Sequence, residues 1–105
     1  MRPTRIVVPE TAKAGDIIEI RALIQHPMIT GHTVAGPNTE PRYIIHTVSV
    51  TYDGAEVFRA DLFPGIAANP YVAFTTIATT TGDLVFTWTD DKGEVTTATR
   101  TLRVT

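Results

Sequence analysis

Three histidines, one serine and one adjacent pair of aspartates are the residues of this sequence with chemistry to offer. His26 and His32 lie six residues apart, a spacing that matches no recognised metal-ligand pattern, and the nearest acidic residue on that stretch is Glu40. Loop polarity or contact with a partner suits the two imidazoles better than a metal site. His46 sits beside Ile44 and Ile45 within a strand-like run, where a hydrogen-bonded structural histidine is expected. Ser49 is the only serine, flanked by Val48 and Val50 with no Gly-x-Ser-x-Gly elbow around it. Asp90 and Asp91 adjoin in a hairpin, so their side chains point apart, and no glutamate closes a calcium loop there. Glu56 and Asp61 read as solvated strand charges. The absence of cysteine removes disulfides, thiolate nucleophiles, zinc ribbons and iron–sulfur clusters together. The expectation is therefore no catalytic residue, no metal and no cofactor, and a chain that binds rather than reacts.

Two short motifs point to binding. His26-Pro27-Met28 sets a flexible thioether beside a rigid proline in an open loop, a combination suited to interfaces. Asn69-Pro70-Tyr71 puts an aromatic residue at the start of a strand, just after a connector of small residues. Asn-Pro also initiates turns and tyrosine also fills cores, so both a structural and a contact role stay open for this second motif.

The elements that must position these motifs are strands. Threonine is the most frequent residue, valine and isoleucine are abundant, leucine is scarce, and no stretch carries a helical apolar stripe. Period-2 alternation and turn signals predict seven strands, at 6–8, 17–24, 42–52, 56–63, 71–78, 84–89 and 94–104. In the second, Ile18, Ile20, Ala22 and Ile24 share a face opposite Glu19 and Arg21. In the sixth, Leu84, Phe86 and Trp88 oppose Val85, Thr87 and Thr89. Asp53-Gly54 predicts a type I′ hairpin, and Asp90-Asp91-Lys92-Gly93 a hairpin with glycine at the left-handed position. Pro64-Gly65 ends the fourth strand, and residues 66–70 connect it to the fifth. In the last strand Ala98, Leu102 and Val104 keep phase but Arg100 falls on their face. Either a bulge shifts the register or Arg100 lies past the edge of the core.

With 105 residues and 11.4 kDa, one domain spanning 1–105 is expected. The fold class read from this pattern is all-β, an immunoglobulin-like antiparallel β-sandwich of about seven strands. A formal charge of −2 and a pI near 5.8 give no electrostatic footprint for nucleic acid or anionic lipid. No apolar run approaches the roughly 18 residues of a membrane-spanning helix. Met1-Arg2-Pro3-Thr4 runs straight into Ile6-Val7-Val8 without a secretory signal, which on its own suggests a cytoplasmic or already trimmed protein.

Several segments, in order, resemble the SoxZ family of the sulfur-oxidation system. They are 11–16 leading into Ile20-Arg21, His26-Pro27-Met28 with Gly31, Pro41-Arg42 with Ile44-Ile45, and Asp53-Gly54 with Val57-Phe58. Ala67-Ala68-Asn69-Pro70-Tyr71 and Phe86-Thr87-Trp88-Thr89-Asp90-Asp91 with Gly93 complete the series. The hairpin turns recur in many proteins, whereas the ordered combination of His-Pro-Met, Ala-Asn-Pro-Tyr and Phe-x-Trp-Thr-Asp-Asp is specific. The resemblance implies an immunoglobulin-like sandwich that pairs with a SoxY-type subunit, whose cysteine, on a glycine-rich C-terminal arm, carries the sulfur intermediates of thiosulfate oxidation. It implies no catalytic residue in this chain, transient contact with other Sox enzymes, and a periplasmic home reached by co-export with the partner. On this reading the partner-binding residues are His26, Pro27, Met28, Arg42, Asn69, Pro70 and Tyr71, with Met28 and Tyr71 as apolar anchors. The tip at 33–39 receives no role. The alternative is a generic immunoglobulin-like interaction domain with no sulfur role, and an independent enzyme is the third reading.

Overall fold

A computed structural model describes residues 2–29, 42–63 and 68–105. The sequence readings of Gly31, His32, the 33–39 tip, Pro41, the Pro64-Gly65 stop and Ala67 fall outside the described residues. Eight strands form two sheets, with no helix among the described residues. They are β1 (Thr4–Val7), β2 (Thr11–Ala12), β3 (Ile17–Ile24), β4 (Ile45–Tyr52), β5 (Ala55–Asp61), β6 (Tyr71–Ile77), β7 (Gly82–Asp90) and β8 (Val95–Val104).

One sheet has the order β1-β3-β6 and the other β2-β8-β7-β4-β5. Every pairing is antiparallel except β2 with β8, which runs parallel. The inner faces follow the alternation in the sequence. Ile18, Ile20, Ala22 and Ile24 from β3 meet Val48, Val50, Leu84, Phe86 and Trp88 from β4 and β7, all buried. Burying side chains of this size stabilises by roughly 1.5–3 kcal/mol each, against the entropy of ordering them.

Four local features refine the sequence reading. The two-residue β2 carries too little pattern to be seen in sequence; it exists because Thr11 and Ala12 reach Arg103 and Val104 across the fold. β4 starts at Ile45 rather than at 42, because Tyr43 instead makes a reciprocal isolated bridge with Ile29. At the first hairpin Asp53 and Gly54 both have positive φ, 50° and 83°, as a type I′ turn demands, and Gly93 has φ 79°. β7 and β8 pair without a register shift, so no bulge explains Arg100; it keeps phase opposite Leu84 and is exposed, although Leu84 and Leu102 on either side of it are buried, so neither expected explanation holds.

Candidate partner-contact site

The alternation of β7 continues one residue further than its apolar part. Leu84, Phe86, Trp88 and Asp90 share a face, so the strand delivers a carboxylate to one end of the core, where Asp90 is buried. Its Oδ1 accepts from the backbone N–H groups of Lys92 and Glu94, 2.9 Å each, and fixes the hairpin. Its Oδ2 faces His26 Nε2 at 3.6 Å, longer than a hydrogen bond, and neither atom has another partner. His26 is 1% exposed. Its Nδ1 accepts from the Met28 N–H at 3.1 Å, which places the ring proton of the neutral form on Nε2, aimed at Asp90. Burial and then the nearby Arg2 charge push the His26 pKa below its ordinary value, against the opposing pull of Asp90 and Glu94.

His26 also ties the two sequence motifs together. Its N–H donates to Asn69 Oδ1 at 3.0 Å, and the Asn69 N–H donates back to the His26 carbonyl at 2.8 Å. Asn69 takes φ 55°, a left-handed conformation that asparagine tolerates better than most residues. Pro70 behind it is buried, and its carbonyl accepts from the Ile24 N–H. Tyr71 then opens β6 with its side chain 56% exposed.

A layer of charge lies outside this pair. The Tyr43 ring packs on His26 with centroids 4.5 Å apart, and Lys92 Nζ stands 4.0 Å from the Tyr43 centroid. Arg2 donates to the Tyr43 hydroxyl and lies 3.1 Å from Glu94. Arg42 grips Asp91 with two bonds of 2.9 and 2.7 Å, and Asp91 also accepts from the Ile44 N–H. Burial tends to raise the Asp91 carboxyl, but the Arg42 and Ile44 donors outweigh it and hold it below its usual range. Asp90 and Asp91 thus point apart, as the hairpin requires, and act separately.

The structure brings the predicted site residues to one end of the sandwich, though not all to its surface. Pro27, Arg42, Asn69 and Tyr71 are exposed. Met28 is not the exposed anchor expected from an open loop. It is 4% exposed, with φ 53°, and its sulfur accepts from the Ile45 N–H at 3.2 Å. The bridge between Ile29 and Tyr43 closes over this segment, and the left-handed turn at Met28 swings the thioether into the core. His26 and Pro70 are likewise buried and shape the site from beneath. Sequence reasoning missed Tyr43, Arg2, Lys92 and Glu94, and it set Asp90 aside. Only Asp90 carried a usable signal, its phase with Trp88.

Chemically this end of the molecule holds a buried imidazole–carboxylate pair, with no serine or cysteine against it among the described residues. Ser49 lies in mid-strand on β4, opposite Arg59 and Thr87. His46 Nδ1 lies 2.7 Å from the Thr47 hydroxyl, a local structural bond. Among the described residues no group of three histidine, cysteine, aspartate or glutamate side chains could hold a metal. What the arrangement does is fix a surface.

Comparison with known proteins follows from this geometry. The family described as "Sulphur oxidation protein SoxZ" matches residues 5–101. A search of curated proteins found no match. Among solved structures, the sulfur carrier protein SoxY from Chlorobium limicola f thiosulfatophilum is similar at TM-score 0.70 and 19% identity, over 97% of this chain and 78% of that one. A superoxide reductase (neelaredoxin) from Ignicoccus hospitalis gives TM-score 0.76 and 20% identity over 97% and 80%. A putative superoxide reductase from Thermotoga maritima gives 0.76 and 15% over 97% and 85%. At these identities the likeness is one of fold: the immunoglobulin-like sandwich is shared, and nothing about activity follows from it.

Proposed function

The chain belongs to the SoxZ family of sulphur-oxidation proteins, and from that membership we propose that it is the non-catalytic subunit of a sulfur-compound carrier complex in thiosulfate oxidation. It pairs with a SoxY-type subunit whose cysteine carries the sulfur intermediates, and the pair works in the periplasm after export together. The observation that carries this reading is the family match across residues 5–101. The residues agree with it. The 105 residues include no cysteine, so the thiol comes from the partner, and among the described residues the buried His26–Asp90 pair has no serine or cysteine against it to activate.

The contact surface is built from Pro27, Arg42, Asn69 and Tyr71, all exposed, over a floor of His26, Met28 and Pro70. Tyr71 is the apolar anchor, an exposed aromatic side chain with only two χ angles, so little side-chain entropy is lost when it is covered. Co-expression with a SoxY-type subunit tests the reading. The two chains are expected to co-elute as one species at micromolar concentration, and separate elution would refute the pairing. Within the pair, Tyr71→Ala is expected to raise the dissociation constant about tenfold or more, equivalent to ~1.4 kcal/mol.

A further inference from the structure

Every open sheet must manage its edge strands, whose outward N–H and C=O groups are templates for another strand. Among the described residues this sandwich has four edges, and three are blunted. β1 is four residues long and carries Arg5, and β2 has two residues. β5 carries Glu56, Arg59 and Asp61, and a register shift kinks its pairing with β4 between Val50 and Thr51. The fourth edge, β6, is different: seven residues, Tyr-Val-Ala-Phe-Thr-Thr-Ile, with no charge, no proline and no glycine. Its register with β3 is unbroken from Tyr71 to Ile77.

The register also says which groups are free. The Ile24 N–H bonds to the Pro70 carbonyl and the Ala78 N–H to the Asp16 carbonyl. Antiparallel ladders alternate, so Val72, Phe74 and Thr76 spend their backbone groups on β3. The N–H and C=O groups of Tyr71, Ala73, Thr75 and Ile77 therefore point outward, and no strand takes them among the described residues. The side chains of these same four residues lie exposed on the outer face, where Tyr71 and Ile77 are more than half exposed beside Ile17 on β3. A shallow depression of about 270 Å³ adjoins this edge, lined by Val7, Ala22, Leu23 and Tyr71 together with Arg5 and Arg21.

We infer that β6 is the seam of the carrier complex: the SoxY-type subunit adds an uncharged edge strand of its own sandwich along Tyr71–Ile77, joining the two sheets. This rests on the pairing proposed above. Charge is one argument for the occupant. Among the described residues, the charges paired against the middle of the seam, Glu19 and Arg21, bind each other, so the middle of the edge attracts neither an acidic nor a basic segment and suits a neutral one. Fold is the second, because SoxY, the sulfur carrier from Chlorobium, is a sandwich of the same type and so has sheet edges to offer. Length is the third. Seven residues span ~24 Å, long enough for a strand pair with side-chain contacts on both faces. Such a seam, with the outer face around Tyr71, can approach the ~800 Å² per partner of a stable complex.

The test uses proline at matched edges. Thr75→Pro removes an outward N–H of β6 and leaves the β3 ladder intact. Arg59→Pro removes an outward N–H of β5, where the Leu62 bond to the His46 carbonyl sets the same alternation. With a SoxY-type subunit, Thr75→Pro is expected to weaken binding about 100-fold or more, and Arg59→Pro less than threefold. Amide hydrogen exchange on the unsubstituted complex is the second readout. The N–H groups of Ala73, Thr75 and Ile77 are expected to slow on binding, more than those of Val72, Phe74 and Thr76, already bonded to β3. If the unsubstituted chain binds and Thr75→Pro binds equally well, or if the odd-numbered amides exchange unchanged, the seam assignment is overturned and the pairing stands. If the unsubstituted chain does not bind at all, the functional reading fails and takes the seam with it. Protection of the same amides in the chain alone at high concentration, with a two-fold mass, would assign β6 to a second copy and overturn the proposal.

Discussion

Among single residues, the buried His26 makes one contribution to how this protein responds to acid. Its pKa is lowered in the folded state by burial and by Arg2, against an unfolded value near 6.5. Between those two values the unfolded chain binds the proton and the folded chain does not. The contribution of neutral His26 is therefore fully present above about pH 6.5 and is lost as pH falls below it. Urea denaturation at pH 7.5 and pH 5.5 should show a lower midpoint at the acidic pH, and His26→Gln should shrink that difference; an equal pH response in the variant would remove His26 from the account. Asp91, held low by Arg42 and Ile44, adds a separate loss that sets in as pH falls through the ordinary carboxylate range toward its lowered value. Its neighbour Asp90 accepts two backbone bonds at the hairpin, so Asp90→Ala leaves the Lys92 and Glu94 N–H groups without that acceptor. It is expected to cost about 2–4 kcal/mol by chemical denaturation.

At the scale of elements, the hairpins and the alternating strands hold the site in place. Gly54 sits at φ 83°, where a Cβ meets no neighbour but the backbone conformation itself is unfavourable for other residues. Gly54→Ala is expected to cost about 1–2 kcal/mol, read as a lower denaturation midpoint at unchanged slope. Gly82 is limited differently: a Cβ there would stand 2.9 Å from Asp53 Cβ, so the close approach of β7 to the first hairpin requires the missing side chain. Elements of this kind differ in how well a sequence displays them. β3 and β7 were legible because a buried face repeats every second residue over eight or nine positions. β2 was not, since two residues hold no period and the strand exists only through its long-range partner. Met28 misled for a related reason. In sequence it reads as a loop residue beside a rigid proline, whereas its left-handed φ and the Ile29–Tyr43 bridge, both set by tertiary contacts, turn it inward. The site was half legible: the two motifs stood out by composition, but the bonds from His26 to Asn69 that join them span 43 residues and leave no local trace.

For the molecule as a whole, the account is a division of labour. This chain supplies a rigid sandwich, a neutral unblunted edge and an exposed tyrosine at its start; the proposed partner supplies the reactive sulfur. The lack of cysteine then has a positive consequence, because a subunit without thiols cannot exchange disulfides with the carrier cysteine or take its cargo. Intact mass spectrometry of the complex during thiosulfate turnover by the remaining pathway enzymes tests this most directly. The prediction is that sulfur-containing mass increments accumulate on the SoxY-type subunit and that the mass of this chain stays constant throughout. A covalent sulfur increment on this chain, or turnover of thiosulfate by this chain without the partner, would contradict it.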